Sequence, residues 1–573
     1  MNDIRRTILW VIFGFSMVLL WDQWQVYNGH KATFFPSAAK PAAVTAQAPA
    51  GTASGASSVP APVASSSGTP GATSAQVPGG PAPVAAAAPR EKLVVSSDVL
   101  KLTFDTEGGS IVGSELLKYF DMVDKTRNFV LLDESASRVY LAQSGLIAGT
   151  AGGTFPSHKT VMTAVPGERA LTEGVNELVV KFESPEVGGV KLVKTYTLER
   201  GSYAIRVQHD IVNVGTAPVS PQLYLQLVRD GTKPPGESSF YSTFTGPAVY
   251  TDAKKYQKVE FKKIEDNSVD IEKHSNNGYV AMVQHYFASA WLLSDNTPRD
   301  LFMRKVDTNL YSVGMITPVD NIAPGTTKSV SARIYVGPQL EKVLESLAPG
   351  LELVKDYGWL TILSKPLYWL LDKLHSFIQN WGWSIVALVV LLKAAFYWLN
   401  AKAYASMAKM KAINPRITEM RERLKDKPQE MQQAMMKIYR EEKINPMGGC
   451  FPIMIQIPVF IALYWVLLSS VEMRGAPWAL WIHDLSSPDP FFILPVVMTL
   501  TSLLQTALNP APPDPMQAKL MWFMPLIFSV MFFFFPAGLV MYWITNNTLS
   551  IAQQWLINKR MGVPPKFNLP KFR

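Results

Sequence analysis

One lysine occupies a position where a charged side chain is rarely found. Lys393 lies in the stretch WSIVALVVLLKAAFYWLN, and none of the other apolar stretches near the carboxyl terminus contains an Asp or Glu that could neutralise it. An unpaired charge deep in a bilayer costs at least about 2.5 to 3.5 kcal/mol on insertion scales. The sequence therefore predicts that other groups compensate for this charge.

Amides and hydroxyls in the neighbouring apolar stretches are the candidates for that compensation. They are Gln456, Gln505, Asn546, Asn547, Thr548, Ser550 and Gln553. Because polar groups in lipid need partners, these residues either line a hydrated groove or form tight interhelical hydrogen bonds. Snorkelling of Lys393 to the inner interface is the alternative, but Lys402 lies nine residues on, about 13 Å along a helix, and a lysine stem reaches about half that distance. A groove open to the cytoplasm accommodates both the lysine and the amides.

Three kinds of chemistry could use such a site. A proton or ion relay needs a chain of carboxylates or histidines, which these stretches lack. A Ser-Lys hydrolase needs a hydroxyl beside Lys393, but Ser384 lies about half a revolution away on the same helix, and only tertiary structure could bring Ser550 there. The third use is a fixed positive charge in a wet groove, which attracts acidic or hydrophilic segments of another polypeptide. We therefore expect a binding site and no enzyme.

The composition of the chain excludes several classes of protein and of site. The chain has 573 residues, 48% of them hydrophobic and 17% charged, which excludes a disordered or fibrous protein. Its net charge of +9 favours anionic partners without choosing among them. A lone cysteine, Cys450, excludes intramolecular disulfides and Cys-rich zinc sites, and the seven histidines form no HExxH pair. With no phosphate-binding loop, no cofactor is expected.

Apolar runs at both ends of the chain predict six membrane spans. Residues 7–21 follow Arg5 and Arg6 and precede no cleavage site, which is typical of an uncleaved signal anchor. The other runs are 381–400, 450–470, 491–508, and the pair 520–535 and 539–557, separated by Pro536-Ala537-Gly538. Basic residues concentrate in 401–449 and in the tail, so the positive-inside rule places both termini in the cytoplasm and 22–379 outside.

The exported region has the pattern of a β domain. Tyr203, Ile205, Val207, His209 and Ile211 alternate with polar residues, and turn signals separate short strands, which favours an antiparallel sandwich. His158, His209 and Asp210 could be imagined as an acid-base site. However, His209 and Asp210 are adjacent on a strand and point to opposite faces, so a buried core histidine is favoured.

Two further segments have amphipathic patterns. Residues 357–379 repeat apolar side chains at helical spacing and suit a helix along the outer interface, with a helix packed on the sandwich as the alternative. Within 401–449, two helices separated by Asp426-Lys427-Pro428 make a basic hairpin with a methionine-rich stripe. That stripe suits a packing seam or contact with varied apolar segments. The basic tail suits anionic lipid or ribosomal RNA.

The resulting organisation is a polytopic α-helical membrane protein with a large exported antiparallel β-sandwich. Its parts are an anchor (1–25), a flexible Ala/Pro/Ser/Gly linker (26–91), the β-sandwich (92–354), an interfacial helix (355–379), span 2 (380–401), the hairpin (402–449), span 3 (450–470), an outer loop (471–490), span 4 (491–508), an inner loop (509–519), spans 5 and 6 (520–557) and the tail (558–573).

Several motifs together resemble one family. NWGWSIVALVVLLK, INPMGGCFPIMIQIPVFIALYWVLL, APWALWIHDLSSPDPFFILP and FFFFPAGLVMYWITNN are similar to the YidC/Oxa/Alb family of membrane-protein insertases, in its long Gram-negative form. The resemblance covers 357–557 continuously. It implies a five-helix core around a hydrophilic groove that is open to cytoplasm and lipid and closed outside, and a β-supersandwich in the exported domain of an inner-membrane protein.

The resemblance also implies partners and site residues. The partners are nascent membrane proteins, the ribosome and signal recognition particle, and the Sec translocon with its accessory subunits. The groove cation falls on Lys393, the groove glutamine on Gln456 and the last-span hydroxyl on Ser550, while Phe460 and Tyr542 match positions facing substrate. Asn546 joins this groove set as a polar neighbour. Many relatives have arginine where this chain has Lys393, which keeps the charge without the planar fork.

The function expected from all these features is a membrane-protein insertase and assembly chaperone. It would capture hydrophilic segments of clients in the cationic groove and release their apolar spans into lipid. Two rival interpretations are a polytopic transporter with an exported sensor domain and a carbohydrate-binding or sugar-modifying envelope protein whose helices only anchor it.

Overall fold

The computed structural model describes residues 90–148, 153–234, 243–424, 427–442, 451–509, 515–562 and residue 567. The anchor predicted at 1–25, nearly all of the linker, Cys450 and most of the tail lie outside the described residues. The chain divides into two compact units, with the boundary between Asp356 and Tyr357.

The first unit is built from β-strands with two short helices. The strands are β1 (Lys92–Ser96), β2 (Leu100–Asp105), β3 (Ser110–Phe120), β4 (Asn128–Val130), β5 (Asp133–Glu134), β6 (Val139–Ala148), β7 (Thr163–Ala164), β8 (Glu177–Glu183), β9 (Val190–Glu199), β10 (Ala204–Asn213), β11 (Pro221–Asp230), β12 (Gly246–Thr251), β13 (Lys255–Lys258), β14 (His274–Ser275), β15 (Tyr279–Gln284), β16 (Phe287–Leu293), β17 (Arg299–Asp307), β18 (Leu310–Pro318) and β19 (Thr327–Pro338). The helices are α1 (Phe261–Glu265) and α2 (Glu341–Leu347).

The strands form two sheets. One has ten strands in the order β1-β2-β3-β6-β11-β18-β17-β14, with β4 on β3 and β5 on β6. The other has nine, in the order β13-β12-β15-β16-β19-β10-β9-β8-β7. Neighbouring strands in both ladders pair antiparallel, for example β10 with β9 and β19. The expected antiparallel sandwich is confirmed.

Side-chain alternation builds the core between the sheets. On β10, Ile205, Val207 and Ile211 are buried while Arg206 and Gln208 are exposed. This is the period-two pattern of a strand with one solvated face. The Trp291 indole on β16 donates to the Gln226 carbonyl of the other sheet at 3.1 Å.

Polar contacts also join the two sheets inside the core. Lys194 of β9 is fully buried, and its Nζ donates to the carbonyls of Gly108 at 2.6 Å and Ser144 at 2.7 Å. His209 of β10 lies 2.9 Å from the Ser144 hydroxyl through Nε2. Burial lowers the pKa of Lys194 to about 7, and burial together with the Lys194 charge lowers the pKa of His209 to about 3. His209 is therefore a neutral core histidine, as expected.

A glycine positions one of these carbonyls. Gly108 has φ 73, and a Cβ there would lie 2.5 Å from the backbone of His158. Only glycine fits such a left-handed turn against another backbone. His158 is itself buried, with Nδ1 2.6 Å from the Tyr224 hydroxyl. Both histidines are thus held by core partners, which favours the structural interpretation over the acid-base one.

The second unit is helical. Its helices are α3 (Thr361–Ile378), α4 (Trp381–Ala395), α5 (Tyr397–Arg423), α6 (Pro428–Glu441), α7 (Phe451–Ser469), α8 (Ile493–Leu508), α9 (Pro515–Phe532) and α10 (Ala537–Arg560). The two helices of the expected hairpin are separated at 533–536, slightly before the predicted break, because Pro536 is the N-cap of α10 and Ala537 and Gly538 belong to its first turn. Helix α10 packs against α4, α5, α7 and α8.

The helix expected over span 2 does not continue to residue 401. It ends at Ala395, and α5 leaves at an angle of 68°. At the bend, Gln553 Nε2 donates to the carbonyl of Tyr397 at 3.2 Å. A side chain that bonds to the helical ladder is one of the recognised causes of a sharp kink. Helix α5 then runs on into the hairpin with α6, where Ile417 and Ile438 are buried.

The expected six spans are not confirmed helix by helix. Among the described residues no single helix is both long and apolar enough to cross a bilayer, while the bent pair α4 and α5 meets the length and composition requirement together. Shorter apolar helices cover Gln456–Ser469, Ile493–Leu508 and Ala518–Phe532. The 16 residues of α8 span about 24 Å at 1.5 Å per residue, less than a hydrocarbon core of about 30 Å.

Helix α3 corresponds to the amphipathic segment expected at 357–379. It packs against α4 and α7, and buries Tyr368 and Leu371. The apolar side chains expected to form one stripe lie on two different sides of this helix. Its leucines Leu367, Leu370 and Leu374 pack on the bundle core. Trp359 before the helix, together with Ile362, Trp369 and Phe377, is exposed. The helix therefore has an apolar surface on both sides.

The buried histidine generates a prediction about acid stability. Because the folded-state pKa of His209 lies below the ordinary value of 6.5, the unfolded chain binds the proton first as pH falls. Stability is then lost between about pH 6.5 and pH 3, at about 1.4 kcal/mol per pH unit. Between pH 6.5 and 4.5, His209→Gln should therefore remove about 2 kcal/mol of the acid loss measured by urea unfolding of the fragment 90–356.

The control is Val179→Gln, because this side chain is exposed and neither valine nor glutamine titrates. This variant should show the same acid loss as the wild type. An unchanged pH dependence in His209→Gln would contradict the buried neutral histidine.

Candidate functional site

The polar residues of α10 each contact a different part of the bundle. Asn546 bonds to α7, Asn547 to α8, Ser550 to α4 and Gln553 to the start of α5. Gln554 Nε2 donates to Asn509 Oδ1 at 3.1 Å, just beyond the end of α8. Amides and hydroxyls on an apolar helix need such partners where water is scarce. Helix α10 is therefore the hydrogen-bonding centre of the unit.

Lys393 lies in the last turn of α4 and points at α10. Its Nζ donates to the Ser550 hydroxyl at 2.7 Å, and Ser550 is only 2% exposed. In the part of the chain that the structure describes, no carboxylate pairs with this ammonium. The lysine thus bonds to an interior hydroxyl and does not extend toward the surface.

Tertiary structure therefore brings together the Ser-Lys pair that the sequence left open. The Ser550 hydroxyl proton, however, is directed to the Asn546 carbonyl at 2.7 Å. A nucleophilic serine must give its proton to the base, whereas here the lysine is the donor and the serine the acceptor. The arrangement fixes a charge and does not activate a nucleophile.

Gln456 and Asn546 complete the polar side of a small chamber beside the lysine. Gln456 Nε2 donates to Asn546 Oδ1 at 2.9 Å. The chamber has a volume of about 30 Å³, which is room for one or two water molecules. Its lining consists of Val389, Leu392, Lys393, Phe396, Leu399, Asn400, Gln456, Val459, Tyr542 and Asn546. We call this space the cation chamber.

A much larger space lies between α7, α8, α9 and α10. Its volume is about 700 Å³, and its walls are mainly methionine and aromatic side chains. The polar groups in its lining are Ser502, Gln505, Thr506, Asn509 and Asn547. We call it the apolar cavity. Of the two arrangements left open by the sequence, the interhelical hydrogen bonds are present, while a hydrated groove stays a prediction.

Phe460 and Tyr542 lie between these two spaces. Tyr542 lines the cation chamber and Phe460 lines the apolar cavity. Their ring centroids are 5.8 Å apart in a stacked arrangement, and Phe460 also meets Trp543 edge-on at 4.6 Å. Such aromatic pairs add about 0.5 to 1.5 kcal/mol beyond their burial. The structure therefore brings together all six predicted site residues, with the two rings as the partition.

The loop between α7 and α8 is bonded to the start of α10. The backbone N–H groups of Ala537 and Gly538 donate to the carbonyls of Ser487 at 2.8 Å and Leu485 at 3.0 Å. Asp489 Oδ2 accepts from the Leu494 N–H at 2.7 Å and so caps α8. Hydrogen bonds from the hydroxyls and backbone of this loop lower the pKa of Asp484, although burial opposes the shift. These bonds hold this end of the bundle together.

Several residues and contacts near Lys393 were not predicted from the sequence. Asn400 of α5 is buried and lines the cation chamber. Asn547 Nδ2 donates to Ser502 Oγ at 2.9 Å, a partner that the sequence did not indicate. The bend that brings Asn400 to the chamber has no Pro or Gly that would indicate it in the sequence.

Comparison with known proteins covers nearly the whole chain. The family described as YidC periplasmic domain matches residues 92–370, and the family described as 60Kd inner membrane protein matches residues 373–563. The membrane protein insertase YidC of Cupriavidus taiwanensis is 56% identical over 560 residues, which is 98% of each chain. That of Burkholderia cenocepacia is 54% identical, over 98% of this chain and 99% of its own length.

Solved structures give weaker likenesses. A crystal structure of an active YidC insertase with its first transmembrane domain resolved has a TM-score of 0.37 and 19% identity, over 80% of this chain and 91% of that chain. A galactose mutarotase related enzyme from Lactobacillus acidophilus has a TM-score of 0.29 and 9% identity, over 43% of this chain and 97% of that chain.

The hydrogen bond between Gln456 and Asn546 can be tested by a double-mutant cycle. Interhelical hydrogen bonds in membranes average about 0.6 kcal/mol, with a maximum of about 1.7. Gln456→Leu and Asn546→Leu should therefore show a coupling in this range when unfolding is measured in bicelles. The control cycle pairs Gln456→Leu with Asn547→Leu, because Asn547 bonds to Ser502. Equal coupling in both cycles would show that the measured value is not this hydrogen bond.

Proposed function

Since the chain belongs to the YidC family of membrane protein insertases, we propose that it binds hydrophilic segments of its clients at Lys393 and releases their apolar spans into the lipid, alone or with the Sec translocon. The protein is an inner-membrane insertase and not an enzyme, and its β unit is the periplasmic domain. Its clients are nascent membrane proteins. Because the chain belongs to this family, we discard the interpretations as a transporter and as a carbohydrate-binding or sugar-modifying protein.

The observation that carries the proposal is the position of one ammonium group. Lys393 is half-buried among apolar side chains, bonds to Ser550 and has no carboxylate partner among the described residues. An ammonium has three donors, and one of them is used by Ser550. The other two can meet an acidic or carbonyl group of a client that enters the cation chamber. Because this charge lies inside the helical unit, a polar segment bound to it has a shorter apolar distance left to cross.

The apolar cavity suits the other part of a client. Its methionine and aromatic walls match an apolar span, since thioethers adapt to varied side chains. Phe460 and Tyr542 separate this space from the chamber, so a client can present its polar segment on one side and its span on the other. Burial of the span in lipid and the membrane potential acting on client charges provide the driving force.

The membrane arrangement follows from these roles. The anchor, α4 with the start of α5, α7, α8, α9 and α10 make six spans, with both termini in the cytoplasm. Helix α3 lies along the outer interface, where its exposed Trp359 and Trp369 suit headgroup depth. The basic hairpin of α5 and α6 and the basic tail are the surfaces for anionic lipid and for the ribosome and signal recognition particle pathway. Accessory Sec subunits remain expected partners.

Charge reversal at Lys393 tests the electrostatic role. Lys393→Arg should retain insertion, whereas Lys393→Glu should reduce insertion of clients with acidic translocated tails by at least about tenfold, since a like charge now faces the tail. The assay is protease protection of a single-span client in reconstituted vesicles. Lys402→Glu is the matched control, because Lys402 lies 3.6 Å above the exposed Trp398 ring and does not line the chamber. Equal insertion by wild type and Lys393→Glu would refute the role.

Water access to the two spaces can be measured with single cysteines in a Cys450→Ser background. A polar thiol reagent added from the cytoplasmic side should label positions 456 and 505, and should label position 550 more slowly because Ser550 is 2% exposed. If all three positions were protected from both sides, no hydrated path would reach the two spaces. The polar residues would then serve only in hydrogen bonds between helices.

A further inference from the structure

The loop between α7 and α8 (471–490) binds its two aspartates through its own hydrogen bonds. Asp489 is 1% exposed, and its carboxylate accepts from the Trp481 indole at 3.0 Å and from the N–H of Leu494 at 2.7 Å. Asp484 accepts four hydrogen bonds from N–H and hydroxyl groups of the same loop. Neither aspartate is among the exposed residues of the loop. The two carboxylates therefore serve mainly to hold the loop in shape.

The side chains that the loop does expose are mostly apolar. They are Pro477, Leu480, His483, Pro488 and Pro490, and Phe491, Phe492 and Ile493 follow where α8 begins. Leu480 is 81% exposed and Phe491 is 64% exposed. Trp481, which follows Leu480, meets the Phe491 ring edge-on at 6.4 Å and joins the two parts of this surface. We call Leu480, Phe491, Phe492 and Ile493 the loop patch. An exposed apolar patch of this kind marks an interaction surface.

Two residues of the loop patch have a backbone conformation that bulky side chains rarely adopt. Leu480 has φ 55 and Phe492 has φ 57, in the left-handed region that favours glycine and asparagine. Such strain persists only where neighbouring contacts hold it. Here the Trp478 N–H donates to the Ile482 carbonyl at 3.0 Å and closes the turn around Leu480. Since Leu480 gains little from burial within the described part of the chain, its apolar side chain suits a partner outside it.

The surface of α8 indicates what that partner is. One side of α8 has exposed apolar residues at three- and four-residue spacing, namely Ile493, Val496, Val497, Leu500 and Leu504. None of these five lines the apolar cavity, and in the proposed membrane arrangement their side of the helix faces lipid. The loop patch is continuous with this side, because Ile493 belongs to both. The patch also adds apolar length to a helix that spans about 24 Å against a hydrocarbon core of about 30 Å.

Tryptophans at the same end of the bundle support this assignment. Trp383, in the first turn of α4, is 48% exposed, and its ring centroid lies 5.4 Å from that of Trp478 in the loop. Asn380 Nδ2 donates to the Trp478 carbonyl at 3.1 Å and ties the loop to the start of α4. Exposed tryptophans at the end of a span are typical of the membrane interface. The position of the loop therefore suits interface depth.

We propose that the loop between α7 and α8 is embedded in the outer leaflet, with Leu480, Phe491 and Phe492 among the acyl chains. This inference rests on the membrane arrangement given with the proposed function. The partner of the loop patch is lipid and not another protein segment. The loop then extends the apolar surface of α8 at its outer end and anchors the bundle in the outer leaflet.

The test places single nitroxide labels on cysteines in the full-length Cys450→Ser protein, reconstituted in vesicles of phosphatidylethanolamine and phosphatidylglycerol. Collision rates with oxygen, which enters the acyl region, and with a polar nickel chelate are measured at positions 480 and 491. Oxygen should reach both, and their nickel collision rates should lie at least about tenfold below that of position 123, because hydrocarbon excludes a polar reagent. Val123 is the matched control, since it is 72% exposed and belongs to the periplasmic domain.

Position 500 separates this inference from the membrane arrangement. Leu500 is 60% exposed in the middle of α8, and a label there should be accessible to oxygen only. If the nickel chelate reaches position 500, the membrane arrangement itself fails. If position 500 is in lipid while positions 480 and 491 match position 123, only the loop inference is overturned. Protection of 480 and 491 from both reagents would show that protein covers the patch, which would also overturn it.

Leu480→Asn tests the anchoring role without a label at position 480. Asparagine tolerates the left-handed turn and removes the apolar side chain, so the protein should still fold. The nickel collision rate of a label at position 491 should then rise toward that of position 123. Val123→Asn is the control variant and should leave the rate at position 491 unchanged. An unchanged rate in Leu480→Asn would contradict anchoring by Leu480.

Discussion

The helical unit depends on the need of polar groups for partners in an apolar environment. Helix α10 has amides and a hydroxyl on several of its faces, and each forms a hydrogen bond to a different neighbour. Rotating or sliding this helix would break several bonds together, because the acceptors and donors lie on four separate helices. In lipid each unpaired group costs several kcal/mol. One helix therefore fixes the arrangement of the bundle, and the position of Lys393 follows from it.

The same constraint separates two environments within a short distance. On one side of the Phe460 and Tyr542 rings lies a chamber with an ammonium and three amides, and on the other lies a cavity lined mainly by methionine and aromatic residues. A membrane-protein client has the same division, with a polar tail beside an apolar span. In the proposed function, the two rings would separate the client's apolar span from the charge. No bond chemistry is required, which agrees with a Ser550 proton that points away from the lysine.

Features with a local signal were predictable from sequence. Alternation placed Ile205, Val207 and His209 in the sandwich core, and Pro536 marked the boundary at which α10 begins. Lys393 was identified because a lone charge in an apolar run is costly. The family resemblance named Ser550 as a site residue, but its bond to Lys393 was not predicted, since the two lie 157 residues apart and nothing local links them. The bend after Ala395 was missed for a similar reason. Its stabilising contact comes from Gln553 on another helix, so the position of Asn400 in the chamber could not be predicted.

The choice of lysine over arginine at position 393 has a physical consequence in this chamber. The Ser550 hydroxyl accepts a hydrogen bond from residue 393, because its own proton is directed to the Asn546 carbonyl. A guanidinium would keep the charge but would present five donors in a rigid fork. An ammonium needs only the one acceptor and keeps two donors that can rotate toward a client. A point charge does not require the client's carboxylate to approach in one plane. In the proposed function, the site would therefore attract acidic tails without requiring one orientation of the carboxylate.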